Sequence, residues 1–429
     1  MKIDNSPPRG TRDLLPATVA VRDHLLATIA GVYHRFGYQR IETPALEDLG
    51  RLTGGQGGEN EKMIYQVLRR RLPPVVAAET PLRDLVDLGL RFDLTVPLTR
   101  FYGEHNAQLP LPFRSFQFGP VWRGERPQKG RYRQFYQCDI DLLGEASTLA
   151  EVELIEATTQ ALAAVGLDSC QVRLSDRRFL SALAAGVGLP EESWPAFFIG
   201  LDKLDKVGWD GVRTELVERS ELPAGPVEAA LAVVRGLERV EAGKVVDAVA
   251  DAVPALPDQV LADLATTTAG LAGLAGTGWR FDPTLVRGMG YYTGQIFEVA
   301  HPDFPSSLAG GGRYDDLVGR SVGRPVPACG FSIGFERIVD LLDNQVRSER
   351  VALLYENEVV PEQVLAAARR LRAEGGADRP VAVFRRSGKF AAQLARLESW
   401  GYTALVQLRV GADGMPLVEA ERPLGGGQG

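Results

Sequence analysis

Two long strand-forming runs joined by a charged turn limit what this chain can fold into. FRSFQFGPVWRGE, beginning at Phe113, and RQFYQCDIDLLGE, beginning at Arg133, flank a basic turn. Runs of this kind close an antiparallel hairpin. The chain has no GxxxxGK[ST] loop and no GxGxxG opening a helix after a strand. A nucleotide, if bound, is therefore held in neither familiar doubly wound mode, and an antiparallel sheet is left as its platform.

The turn also concentrates charge. Arg123, Arg126, Lys129, Arg131 and Arg133 stand against Glu125 alone within eleven residues. Guanidinium groups suit phosphate because their planar fork donates in pairs. Trp122, Tyr132, Phe135 and Tyr136 are interleaved with them, and an aromatic face can stack a purine. A solvated turn is the plain alternative. The whole chain has 48 Lys+Arg and 55 Asp+Glu, a net charge of −7. That excludes a globally basic nucleic-acid binder and leaves a local site. Arg287 in LVRGMGYYTGQIF and Arg337 in GFSIGFERI lie beside glycine-bearing strand segments, where a ligand or another backbone can approach closely. Arg313 in AGGGRYDDL fits a structural role.

A length of 429 residues predicts two to four domains. Residues 17–36 read as a helix stopped by Gly37. YQRIETPALED reads as a short strand, residues 52–62 as a glycine-rich loop, and residues 66–90 as irregular. LRFDLTVPL reads as a strand with a helix starting at TRFYGEH, and residues 148–165 as a helix. Residues 175–275 read as a helical insertion, and sheet signals resume at YYTGQIFEVAH. From 350 the pattern alternates strand and helix, as in a small α/β unit, with PLGGGQG a disordered tail. Cys138, Cys170 and Cys329 have neither zinc spacing nor a disulfide framework, and the four histidines are scattered. No apolar run reaches the ~18–20 residues of a membrane span, and no hydrophobic signal core opens the chain. A cytoplasmic protein with no membrane contact is expected.

Six segments in one order carry a family resemblance over residues 8–343. They are PRGTRDLLP, GYQRIETPALED, the whole FRSFQFGPVWRGERPQKGRYRQFYQCDIDLLG stretch, LVRGMGYYTGQIFEV, LAGGGRYDDLV and ACGFSIGFERI. The chain resembles a class II aminoacyl-tRNA synthetase, specifically the histidyl-tRNA synthetase family. The resemblance implies an α/β fold with an α+β catalytic domain over 1–343. There an antiparallel sheet is flanked by helices and carries the insertion at about 175–275. It also implies a shortened anticodon-binding-like α/β domain over 350–429. The implied reaction joins L-histidine to ATP, with Mg²⁺ on the β- and γ-phosphates, and passes it to the histidine tRNA. A homodimer through GYQRIETPALED is implied as well.

Residue roles carry over in the same way. Arg123 and Arg287 act at the α-phosphate. Arg123, Glu125, Arg131, Phe135 and Arg337 hold ATP. Asp93 and Thr95 bind the α-amino group of histidine, and Gln137 lies near its amino-carboxyl end. Asp141 and Tyr292 read the imidazole, with Tyr291 and Tyr314 lining the pocket. Two further readings stay open. One is a paralogue that adenylates an amino acid but uses another substrate or acceptor. Gly290 favours it, because the family writes RGLDYY where this chain has RGMGYY. So does the C-terminal domain, where QLRVGADGMPLVEAERPLGGGQG replaces the usual closing turn, strand and helix. From Arg350 onward it has 11 Lys+Arg against 9 Asp+Glu, a weak attraction for phosphate. The other is a silent regulatory subunit of ATP phosphoribosyltransferase. Such subunits usually lack the C-terminal domain and the ATP arginines, and this chain keeps both.

Overall fold

The computed structural model describes residues 4–54, 63–73, 75–127, 131–274, 278–286, 291–342, 349–376 and 379–424. Contacts group residues up to 12 with 26–340 in one unit, and residues 13–25 with 341 onward in a second.

The first half of the chain runs α1 (Pro16–Arg35), β1 (Gln39–Arg40), β2 (Leu46–Asp48), α2 (Leu49–Thr53), β3 (Gln66–Leu68), α3 (Leu82–Leu85), β4 (Val86–Leu90), α4 (Thr95–His105), β5 (Phe113–Trp122), β6 (Gln134–Leu143) and α5 (Leu149–Ala164). β7 (Gln171–Asp176) follows, then α6 (Arg177–Gly186), α7 (Trp194–Leu201), α8 (Leu204–Arg213), α9 (Ala224–Leu237), α10 (Val245–Ala252) and α11 (Asp258–Ala272). The chain returns through β8 (Gly278–Phe281), β9 (Gln295–His301), β10 (Phe304–Arg313), α12 (Asp315–Val322), β11 (Ala328–Gly334) and α13 (Phe335–Leu342).

The expected hairpin is the centre of an eight-stranded sheet of order β1-β5-β6-β11-β10-β9-β7-β8. β5 and β6 pair antiparallel from Phe113 opposite Leu143 to Trp122 opposite Gln134. Side chains alternate across a strand. On β6 this sends Cys138, Ile140 and Leu142, all fully buried, to one face. Phe116 on β5 shares that face and meets Tyr33 of α1 edge-on at 5.4 Å. α5 buries Leu154, Ile155, Ala161 and Leu162 completely. The buried Arg313 on β10 pairs bidentately with the buried Glu151 of α5, both contacts at 2.6 Å, so the structural role expected of it holds.

Several expectations need correction. LRFDLTVPL is not a strand, because α4 already begins at Thr95. Asp93 accepts the Val96 backbone N–H at 3.0 Å, and Pro97 falls in the first turn, where its missing N–H costs nothing. Residues 66–90 are not wholly irregular, since β4 pairs with both β2 and β3 in a three-stranded sheet. β7 and β8 extend the large sheet although QVRLSD and GWRF carried no clear strand signal. The glycine loop expected at 52–62 lies mostly outside the described residues.

The second unit contains β12 (Val351–Tyr355), α14 (Pro361–Gly375), β13 (Val381–Arg385), α15 (Phe390–Ser399), β14 (Ala404–Val410), β15 (Pro416–Val418) and β16 (Arg422–Pro423). β12 lies parallel between β13 and β14, and β15 and β16 add antiparallel to β14. Leu353, Ala368, Val406 and Leu408 centre its core. The tail expected to be disordered begins at Pro423, which lies in β16, and residues 425–429 lie outside the described residues.

Candidate active site

The face of the large sheet opposite Phe116 and Ile140 is polar and glycine-bearing, which a purely structural sheet would not need. Register aligns its residues in rows. One row runs Gln117, Asp139, Ser332, Gly310, Glu298 across five strands. The next runs Ser115, Asp141, Gly330, Gly312, Ile296. A third pairs Gly119 with Gln137 and Gln137 with Gly334. Gly330 is required where it stands. A Cβ there would lie 2.1 Å from Asp141 Oδ1 and 3.1 Å from the Tyr314 ring.

Asp141 is buried and accepts a 2.5 Å hydrogen bond from the Tyr314 hydroxyl. Its Oδ2 is buried with no hydrogen-bond partner. Burial, opposed by the Tyr314 hydroxyl and reinforced by the charge of Asp93, pushes the Asp141 carboxyl up to about 7. Tyr291 stacks obliquely on Tyr292 at 4.4 Å and meets Tyr314 edge-on at 6.3 Å. The structure therefore brings Asp141, Tyr291, Tyr292 and Tyr314 together. Arg287 and Gly290 lie outside the described residues.

Asp93 sits where the loop 91–94 enters α4. Arg91 anchors that loop, donating from Nε to the Pro120 carbonyl at 2.9 Å and from Nη1 to the Thr43 carbonyl at 2.6 Å. Gly119 leaves room for it, since a Cβ there would lie 2.5 Å from Arg91 Nη2. Burial raises the Asp93 carboxyl, while the Val96 backbone N–H and the Arg123 charge pull it down. Arg123 donates from Nε to the Phe92 carbonyl at 3.0 Å and lies 5.1 Å from the centre of the Phe135 ring. Asp93, Arg123 and Phe135 thus belong to one locality, with the half-buried Thr95 as the first residue of α4.

Elsewhere on the hairpin, the half-exposed Arg131 faces Glu125 at 3.7 Å. Lys129 lies outside the described residues. Arg337 opens α13 and donates to the Ser307 carbonyl on β10. Three residues not expected from sequence also stand out. Asp139 is buried beside Gln137 and accepts from Ser332 Oγ at 2.5 Å. Burial and the like charge of Asp141 raise its carboxyl well above the usual range. Glu336 accepts the Tyr136 backbone N–H at 3.1 Å and pairs with Arg12. Arg12 also donates to the Tyr132 hydroxyl at 3.0 Å and lies over its ring at 4.1 Å. The alternation of polar residues at 137, 139 and 141 could have revealed Asp139. Arg12 lies in PRGTRDLLP, but its clamping role has no local signal, because its partners are 120 or more residues away.

Residues 10–338 match the family described as Histidyl-tRNA synthetase. The histidine--tRNA ligase of Leifsonia xyli subsp. xyli is 48% identical over 414 residues, covering 92% of this chain and 94% of the relative. That of Flavobacterium johnsoniae is 35% identical, covering 81% of this chain and 79% of the relative. The crystal structure of histidyl-tRNA synthetase from Nostoc sp. PCC 7120 superposes with a TM-score of 0.78 at 26% identity, covering 98% of this chain and 97% of that one. The ordered motifs, the polar sheet face and these relatives agree, and the chain belongs to the histidyl-tRNA synthetase family.

Proposed function

We propose that the polar face of the large sheet is where ATP adenylates L-histidine, releasing pyrophosphate, and where the histidyl group then passes to the histidine tRNA, releasing AMP. The observation that carries this is the buried, half-unpartnered Asp141 in the same β6 face as Gln137. Its free oxygen can accept an imidazole N–H, and a substrate lacking that donor would leave a buried acceptor unpaired. Asp93 and Thr95 would receive the α-ammonium, with Gln137 joining them at the amino-carboxyl end. Tyr291, Tyr292 and Tyr314 would enclose the imidazole.

The histidine carboxylate attacks the α-phosphorus and pyrophosphate leaves. The nucleophile arrives ionised, so the step needs no general base. It needs alignment and neutralisation of charge growing on phosphate oxygens. Arg123 would supply that charge, with Arg287 in the same role, while Arg131 would meet the outer phosphates. Phe135 and Arg337 would flank the adenine and Glu125 would contact its edge. Among the described residues no group of three or more His, Cys, Asp or Glu forms a metal cage. Mg²⁺ enters the reading as part of the substrate, MgATP, held through its phosphates. A homodimer through residues 37–48 and cytoplasmic residence complete the proposal. β1, the outermost strand of the large sheet, supports the dimer by leaving that segment at an edge.

The test is pyrophosphate exchange with each amino acid, followed by charging of histidine tRNA. Exchange with histidine alone and charging of that tRNA are expected. Exchange with another amino acid in preference would overturn the substrate assignment. Full-length relatives that are histidine--tRNA ligases leave the regulatory-subunit reading unfavoured.

A further inference from the structure

Gln137, Asp139 and Asp141 occupy alternate positions of β6 and project from one face. The outer two have roles in the reading above, and the middle one has none. Asp139 accepts the Ser332 hydroxyl at 2.5 Å and receives Gln137 Nε2 at 3.4 Å. The same Nε2 lies 3.2 Å from Ser332 Oγ. Ser332 has one hydroxyl hydrogen and gives it to Asp139, so it offers Gln137 only a lone pair. With Asp139 in its carboxylate form, both neighbours at that end of the amide are acceptors. The NH₂ end must face them, and Oε1 is forced away. That Oε1 is buried with no hydrogen-bond partner.

We propose that Asp139, with Ser332, is a positioning residue that fixes the Gln137 amide so that its oxygen accepts the substrate's α-ammonium. An ammonium carries three donors and no acceptor, so the orientation of this one amide decides between attraction and repulsion. The proposal rests on the assignment of the amino end of histidine to Gln137.

The decisive variant is Asp139→Asn. Its Nδ2 can donate to Gln137 Oε1, which removes the constraint on the amide and lets Nε2 turn toward the ammonium. In histidine-dependent pyrophosphate exchange, KM for L-histidine should rise at least tenfold while KM for ATP stays within about twofold. Inhibition by 3-(imidazol-4-yl)propionate, which lacks the ammonium, should be unchanged. The double variant Gln137→Glu/Asp139→Asn presents an oxygen in either orientation and should recover most of the histidine KM. Ser332→Ala leaves Asp139 to hold Nε2 alone and should shift the histidine KM about two- to threefold in the same direction. It serves as the test if Asp139→Asn does not fold. Equal weakening of histidine and the des-amino inhibitor, or no change in either, would overturn the proposal. A parent enzyme that exchanges no pyrophosphate with histidine would instead remove the site assignment beneath it.

Discussion

Asp141 carries a conflict between stability and binding. A carboxyl held near 7 in the folded chain and near 4 when unfolded binds a proton preferentially in the fold between those pH values. The fold is therefore most stable below about pH 4 on this account, and the contribution is lost as pH rises toward 7. Above that, the buried charge costs the folded state on the order of 4 kcal/mol. Asp141→Asn should make the chain more stable than the parent by about 1–3 kcal/mol at pH 8, with the gap closing toward pH 5 in urea titrations. The same variant should raise KM for histidine at least tenfold at pH 8. A variant no more stable than the parent at pH 8 would show that Asp141 is not an uncompensated charge. Gly330 makes the neighbouring case. Gly330→Ala adds a methyl 2.1 Å from the Asp141 carboxylate oxygen, so the carboxylate must move. Histidine KM should rise by an order of magnitude with KM for ATP little changed, and equal loss of both would point to general disruption instead.

At the scale of elements, the basic hairpin is held by a segment far from it in sequence. Gly10 has φ +86°, a conformation that favours glycine, and a Cβ there would lie 2.8 Å from the Arg133 side chain. Arg133 donates its backbone N–H to the Gly10 carbonyl at 2.7 Å. Arg12 reaches Tyr132 on the hairpin and Glu336 at the start of α13. Arg12→Ala should free residues 131–136, seen as faster amide exchange there, and slow pyrophosphate exchange about tenfold or more. Unaltered protection of that segment would assign the clamp to other contacts. Arg313 and Glu151 tie β10 to α5. Arg313→Ala leaves Glu151 buried without its counter-charge and should cost about 3–5 kcal/mol in urea unfolding. A loss below about 1 kcal/mol would mean water reaches Glu151.

For the whole molecule, what could be read in the sequence depended on how local its cause was. The hairpin, α1, α5 and the alternating second unit were legible because each rests on contiguous periodicity. β7 and β8 were not, because four to six mixed-polarity residues become strand only by pairing with a sheet already formed. α4 was misplaced because Asp93 capping and Pro97 in a first turn look like a strand end. In the site, Asp141, Tyr291, Tyr292 and Tyr314 come together from separate motifs, whereas Asp139 and Arg12 also lie in motif segments but matter through partners that only the fold supplies. Charge is likewise a property of the whole. A chain of net −7 meets tRNA, a polyanion, only through local positive groups. Each phosphate so contacted releases condensed counter-ions, and affinity then falls steeply with salt. MgATP is too small to carry a condensed counter-ion atmosphere, so adenylation feels salt only through ordinary screening. Raising salt from 50 to 200 mM should therefore lower kcat/KM for tRNA charging by about tenfold or more, while histidine-dependent pyrophosphate exchange changes less than about twofold. Equal salt sensitivity of the two steps would mean that the measured loss arises in the adenylation site rather than in the grip on tRNA.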